Sequence, residues 1–261
     1  MKMGLMPGTP GAEMRALGFD AVQLFFTGNR QDDAADPDDA AIRATLAPGN
    51  LALAAMTVHL DLVGPHGIIQ GDVDRALRLV TRTAAFKDVI GDNPRPIFVW
   101  HPSAYPAADD VDDAAVFRGL CDALRQICAV AERQGVDVAV ELTRGGSVGS
   151  AESFLRLKDQ VASPALRVCL DAANIAPDRT PLVRAVRMLA SDIVIAHGKD
   201  AHFKTDGTVA GYGPTGSGAL DYATYIGSLK TYCATVPYFI LEYYKTRDEM
   251  LRARDIVLAL L

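Results

Sequence analysis

Short apolar runs alternate along the chain with longer stretches in which apolar positions recur at helical spacing, and polar loops separate the two. Eight runs read as strands: KMGLM (2–6), AVQLFF (21–26), ALAAMTVHL (52–60), PIFVWH (96–101), VDVAVEL (136–142), LRVCLD (166–171), IVIAH (193–197) and YFILEY (238–243). Between them DVDRALRLVTRTAAF (72–86), DDAAVFRGLCDALRQICAVAERQG (112–135), AESFLRLKDQV (151–161) and PLVRAVRMLA (181–190) read as amphipathic helices. Gly135 stands where a helix stop belongs. This β–α alternation predicts a parallel sheet with covering helices. Eight such units imply closure, so the expected fold is a single (β/α)8 TIM barrel over residues 1–261. An open doubly wound sheet ranks second, because no glycine-rich dinucleotide fingerprint follows an early strand.

Composition narrows the partners. The 261 residues are 49% hydrophobic and 22% charged, enough to bury a large core, and no linker or low-complexity segment divides them. A net charge of −6 without a basic run removes the general attraction to nucleic acid or anionic lipid, which favours a small-molecule partner. Cys121, Cys128, Cys169 and Cys233 form no CxxC pair and read as reduced core thiols. Pro and Gly interrupt the first residues before a signal-peptide core could form, and no apolar stretch reaches ~18 residues. A cytoplasmic protein with no membrane contact is expected.

In a barrel of this kind, chemistry sits at the carboxyl-terminal ends of the strands. Four consecutive predicted strands end near Glu141, Asp171, His197 and Glu242. Three carboxylates and one imidazole would therefore face one mouth, where like-charge repulsion and desolvation raise carboxylate pKa values. A divalent cation removes that cost. Oxygen donors with one imidazole suit Mn²⁺, Mg²⁺ or Co²⁺ better than a thiolate-preferring structural zinc site, and Zn²⁺ is also accommodated. His59 and His101 end their own strands, so both are expected to project into the mouth and hold substrate hydroxyls, against the alternative of hydrogen-bonded structural histidines. Lys199 could meet a substrate oxygen or instead pair with Asp200. Arg144 could clamp an anionic group or lie solvated in its loop. Lys245 and Arg247 are weaker candidates, and His66 and His202 receive no role. The glycine-rich stretch 207–218 fits an anion cradle, a lid or a plain turn equally well.

Glu141 at the fifth strand end, CLDAAN (169–174), HGKD (197–200) and the Glu of LEYY (241–244) occur in an order that resembles the sugar phosphate isomerase/epimerase family. These are xylose isomerase-like barrels that include ketose 3-epimerases and hydroxypyruvate isomerase-like enzymes. The likeness spans nearly the whole chain. It implies that Glu141, Asp171, His197 and Glu242 bind one divalent metal, Mn²⁺ foremost, with the two glutamates as acid and base. It implies proton transfer beside a carbonyl through an enediolate, on a sugar or related polyhydroxy carbonyl compound, by an isomerase or epimerase that self-associates. Many relatives carry a second His three residues after the aspartate. Here Asn174 takes that place, suited to a substrate hydroxyl and poorly suited to a metal. Alternatives on the same scaffold are an inosose-type dehydratase, an endonuclease IV-like abasic-site nuclease and a non-catalytic metal- and sugar-binding barrel. The nuclease is disfavoured by the acidic charge and by the missing Asp-x-His pair after the seventh strand.

Overall fold

The computed structural model describes residues 1–6, 11–27, 35–102, 104–106, 111–176, 181–233 and 236–261. Eight parallel strands close on themselves: β1 (Lys2–Leu5), β2 (Ala21–Phe25), β3 (Ala52–Leu60), β6 (Ile97–Pro102), β7 (Asp137–Glu141), β8 (Leu166–Asp171), β9 (Ile193–Phe203) and β11 (Tyr238–Leu241). Neighbours pair in that order, β11 pairs with both β9 and β1, and the β8–β9 pairing shuts the ring. Every predicted strand is present, and the alternation of sequence therefore closed as expected.

The helices that cover the barrel form where their capping residues permit. In α4 (Asp113–Gln134) the Asp112 carboxylate accepts from the amides of Ala114 and Ala115, and Gly135 ends the helix at φ 68°, a left-handed conformation that glycine adopts without a Cβ clash. Reciprocal Ser150–Ser153 and Thr246–Glu249 capping boxes start α5 (Ala151–Val161) and α9 (Arg247–Leu258). The remaining helices are α1 (Gly11–Ala16), α2 (Asp39–Leu46), α3 (Gln70–Ala84), α6 (Ala172–Ile175), α7 (Leu182–Leu189) and α8 (Tyr222–Tyr232). Behind β2, a fully buried ion pair between Arg75 and Asp36 at 2.8 Å fastens the chain that leads into α2.

Two stretches depart from the sequence reading. A small hairpin, β4 (Val63–Gly64) with β5 (Gly67–Ile68), interrupts the path to α3. More consequentially, the seventh strand does not stop at His197. It runs on to Phe203, and β10 (Val209–Pro214) folds back against it, so much of the glycine-rich stretch is an antiparallel extension of the barrel wall. The amides of Ala201, Gly216 and Leu220 all donate to the buried Asp200 carboxylate. A Cβ at Gly218 would lie 2.4 Å from the Ala201 carbonyl, which explains glycine at that close approach.

Side chains alternate along each strand. Outward residues such as Val138, Val140, Leu170, Phe239 and Leu241 join the helices in one large core cluster. Inward residues Ala21, Ala55, Ile97, Val99, Ala139, Cys169, Ile195 and Ile240 form a second, smaller cluster that plugs the barrel. Fully burying one such aliphatic side chain contributes ~1.5–3 kcal/mol, so the plug is a substantial part of the fold's stability. Among the described residues, no helix is long and apolar enough to cross a membrane.

Candidate active site at the barrel mouth

Two residues beyond the apolar plug the same strands turn polar. Glu141 follows Ala139, Asp171 follows Cys169, His197 follows Ile195 and Glu242 follows Ile240, and all four side chains are buried. The structure brings the four together. His197 Nδ1 lies 3.8 Å from Glu141 Oε1 and 3.6 Å from Glu242 Oε1. One atom each from Asp171, His197 and Glu242 lies within 4.8 Å of the others.

The imidazole is aimed by residues the sequence reading did not select. His197 Nε2 sits 3.0 Å from Gln23 Oε1, and Gln23 Nε2 donates to Thr57 Oγ1 at 2.8 Å. Because the Gln23 amide nitrogen is committed to Thr57, its oxygen faces His197 and accepts from Nε2–H. The Nδ1 lone pair is thereby turned toward the carboxylates. Burial lowers the His197 pKa to about 4, which keeps the ring neutral. An amide within the otherwise apolar run AVQLF was the available signal for Gln23.

Burial also raises the Asp171 pKa to about 6 despite the neighbouring Lys199, and it raises Glu141 well above its ordinary value with help from Glu242. Asn174 Nδ2 donates to Glu141 Oε1 at 3.2 Å, so Asn174 lies buried against the glutamate instead of on the open cavity wall. The Asp171 Oδ1 atom accepts the Ala173 amide at 2.8 Å, which starts α6.

Lys199 does not pair with Asp200. Adjacent residues of a strand point to opposite sides, and Lys199 shares the inward face of His197 while Asp200 points outward beneath the 214–220 loop. The Lys199 ammonium instead lies 2.5 Å from Asp171 Oδ2 and 3.2 Å from Glu242 Oε1. Burial alone would lower its pKa, but Asp171, Glu242 and Glu141 outweigh that and raise it. Tyr212 and Tyr243, also unselected from sequence, place their rings 5.0 and 4.9 Å from the ammonium.

A cavity of about 290 Å³ opens above this cluster, lined by Met6, Phe25, His59, His101, Glu141, Lys199, Glu242, Tyr243 and Tyr244. His59 and His101 stack at 4.1 Å between ring centres. Burial lowers both pKa values, that of His101 to about 3 with further lowering by His59 and Lys199, so both rings offer neutral hydrogen-bonding edges. Arg144 lies on an exposed loop outside the lining of this cavity. A larger cavity of about 380 Å³ lies outside Tyr212 and Tyr243, lined among others by His202, Lys245 and Arg252, and the acidic cluster is not part of it.

The donor set suits a divalent cation. His197 Nδ1 is buried without a hydrogen-bond partner, and the buried oxygens Asp171 Oδ2 and Glu242 Oε1 share one cation, the Lys199 ammonium, an expensive arrangement for three carboxylates and a neutral imidazole unless something further binds them. His197 Nδ1 and Glu242 Oε1, 3.6 Å apart, lie slightly wider than the ~3.0–3.4 Å between donors that share a metal through bonds of about 2.1 Å, and Asp171 offers an atom within 4.8 Å of both residues. Glu141 Oε1 lies 3.8 Å from the same His197 Nδ1.

A closed parallel barrel with its ionisable cluster at the carboxyl-terminal mouth belongs to the large class of α/β barrels whose sites are built from strand ends. Within that class the chain belongs to the xylose isomerase-like TIM barrel family, whose model matches residues 12–259. Solved structures with the same fold include D-allulose 3-epimerase from Methylomonas sp., with 14% identity, 100% of this chain and 98% of that chain covered and a TM-score of 0.72. The probable 3-DHS dehydratase AsbF from Bacillus anthracis gives 15% identity, coverage of 100% and 99% and a TM-score of 0.73. The 3-keto-D-glucoside 4-epimerase from E. coli gives 14% identity, coverage of 100% and 98% and a TM-score of 0.71. No curated protein sequence matches the chain.

Proposed function

We propose that the protein is a divalent-metal-dependent sugar isomerase or epimerase that moves a proton beside a carbonyl through an enediolate. The observation that carries this reading is the buried convergence of three carboxylates, Glu141, Asp171 and Glu242, on the unpartnered His197 Nδ1, with one ammonium to balance them. Glu141, Asp171, His197 and Glu242 would hold the ion, with Mn²⁺ the preferred occupant and Mg²⁺, Co²⁺ or Zn²⁺ tolerated. When bound, the ion would polarise the substrate carbonyl and stabilise negative charge on the neighbouring oxygens.

The chain's own residues supply the proton traffic. Glu242 takes the proton from the carbon beside the carbonyl, and Glu141, whose burial favours its protonated form, returns one from the other side; the roles exchange in the reverse direction. The ammonium of Lys199 meets developing negative charge on a substrate oxygen, and neutral His59 and His101 hold hydroxyls along the cavity wall. Asn174, expected from sequence to meet a substrate hydroxyl, instead keeps Glu141 oriented from behind. Arg144, exposed on its loop outside the cavity lining, is left for a polar or anionic substituent that extends beyond the mouth. The same reading makes residues 1–261 one domain of a cytoplasmic, self-associating protein that acts on a small sugar and not on nucleic acid. It is supported by the charge of −6 and by sugar-named structural neighbours, including one solved with D-allulose and one with D-tagatose.

The test is solvent exchange. Ketoses and keto-polyols incubated in D₂O with protein and Mn²⁺ are expected to gain deuterium at the carbon next to the carbonyl, and chelation of the metal should stop it. NMR of the products distinguishes an epimer, an aldose–ketose isomer and a dehydrated compound. Exchange that persists undiminished in both Glu141→Gln and Glu242→Gln would overturn the assignment.

A further inference from the structure

Lys199 holds two of the groups that a metal would need. Its ammonium contacts Asp171 Oδ2 at 2.5 Å and Glu242 Oε1 at 3.2 Å. Asp171 Oδ1 already accepts the Ala173 amide, which leaves Oδ2 as the less committed oxygen for a metal. A divalent ion about 2.1 Å from Oδ2 would therefore sit within a few ångströms of the ammonium, and like charges at that range repel strongly in a buried site.

The ammonium has somewhere to go. Tyr212 and Tyr243 stand beside it with ring centres 5.0 and 4.9 Å away, packed edge-to-face on each other at 5.7 Å. The Tyr243 ring is half exposed and lines the cavity, so a cation resting on it faces incoming substrate. Tyr243 also adopts φ 62°, a left-handed conformation disfavoured for a bulky residue, and strain of this kind persists where the surroundings impose it. The strained backbone directly follows Glu242 and puts the ring over the lysine.

We propose that Lys199 is a tethered cation that competes with the metal for Asp171 and Glu242, and that metal binding displaces its ammonium from the carboxylates and leaves it held by the Tyr212–Tyr243 rings that it already meets at the cavity mouth. The proposal rests on the metal site assigned above and adds an order to it: loading the metal releases the lysine for the substrate. Lys199 thus weakens metal affinity while coupling metal binding to the arrangement of the mouth.

Calorimetric titration of Mn²⁺ into the wild-type protein, Lys199→Met and Lys204→Met decides the matter. Lys204 is an exposed lysine past the end of the same strand, and its replacement controls for the loss of one positive charge. Lys199→Met should bind Mn²⁺ at least about tenfold more tightly, and Lys204→Met within about twofold of wild type. Near-ultraviolet circular dichroism should register a tyrosine change when Mn²⁺ is added to wild type, and that change should be lost in Lys199→Met. Equal or weaker Mn²⁺ binding by Lys199→Met, or no tyrosine change in wild type, overturns the competition and leaves the metal site standing. No Mn²⁺ binding to any of the three proteins removes the metal site itself and the competition with it. If Lys199→Met does not fold, Lys199→Gln and the wild-type dichroism carry the same decision.

Discussion

Two layers of the barrel interior, only two residues apart on the same strands, follow opposite physical rules. The lower layer, with Ala139, Cys169, Ile195 and Ile240, is small, apolar and fully buried. The upper layer, with Glu141, Asp171, His197 and Glu242, is as deeply buried but ionisable, and it carries three carboxylates against one ammonium. The lower layer gains free energy by excluding water. The upper layer forgoes that gain and adds desolvation and repulsion, which appear as the raised pKa values of Glu141 and Asp171. The difference teaches that stability and chemistry are separated along the strand axis, and single substitutions can tell the layers apart.

The sharpest break would come from the upper layer. Glu242→Gln preserves shape while removing a base, so turnover should fall by about 10² or more, with a melting temperature equal to or above wild type. Paired kinetic and thermal measurements check this, and a destabilised variant with intact turnover would erase the distinction. In the lower layer the outcome should invert. Ile195→Ala leaves a cavity in the plug and should cost ~2–5 kcal/mol in denaturant unfolding, with turnover per folded molecule close to wild type.

A smaller effect follows from protonation at the mouth. The folded pKa of His101, about 3, lies below the ordinary 6.5, so the unfolded chain binds the proton more readily between those values. Stability from His101 is complete above about pH 6.5 and is lost as pH falls toward 3. Melting curves of the metal-free protein near pH 7.5 and pH 5.5 should differ more in wild type than in His101→Gln, and equal differences would remove His101 from the account. The smallest effect lies outside both layers. Ala162 ends α5 at φ 54° on the surface, where glycine fits the left-handed conformation, so Ala162→Gly should stabilise by ~1 kcal/mol without altering activity.

Much of the mouth was legible because a strand end is a local feature. LRVCLD and VDVAVEL each show an apolar run closing on a carboxylate, and the fold rule converts that position into a place at the mouth. Lys199 was harder. With the seventh strand read as ending at His197, Asp200 looked like a natural neighbour. Once the strand continues to Phe203, alternation sends residues 199 and 200 to opposite faces and gives the lysine to Asp171 and Glu242. Gln23 and Tyr212 lie 174 and 15 positions from His197 in sequence, and nothing nearby in the chain marks either as its neighbour in the cluster.

The hydrophobic pattern by itself determined the eight strands, their parallel alternation with helices and the closure of the barrel, because burial of a two-residue or 3.6-residue apolar period is decided segment by segment. Residue type and strand position also determined which carboxylates and imidazole would stand at the mouth. Only the tertiary structure decided how those groups meet: the Gln23–Thr57 relay that turns His197 Nδ1 into the cup, the Asn174 bond to Glu141, and the ammonium between two carboxylates and two tyrosine rings. Those contacts join residues far apart in the chain, and their geometry depends on the register between strands and the path of the loops. Local periodicity carries no information about either.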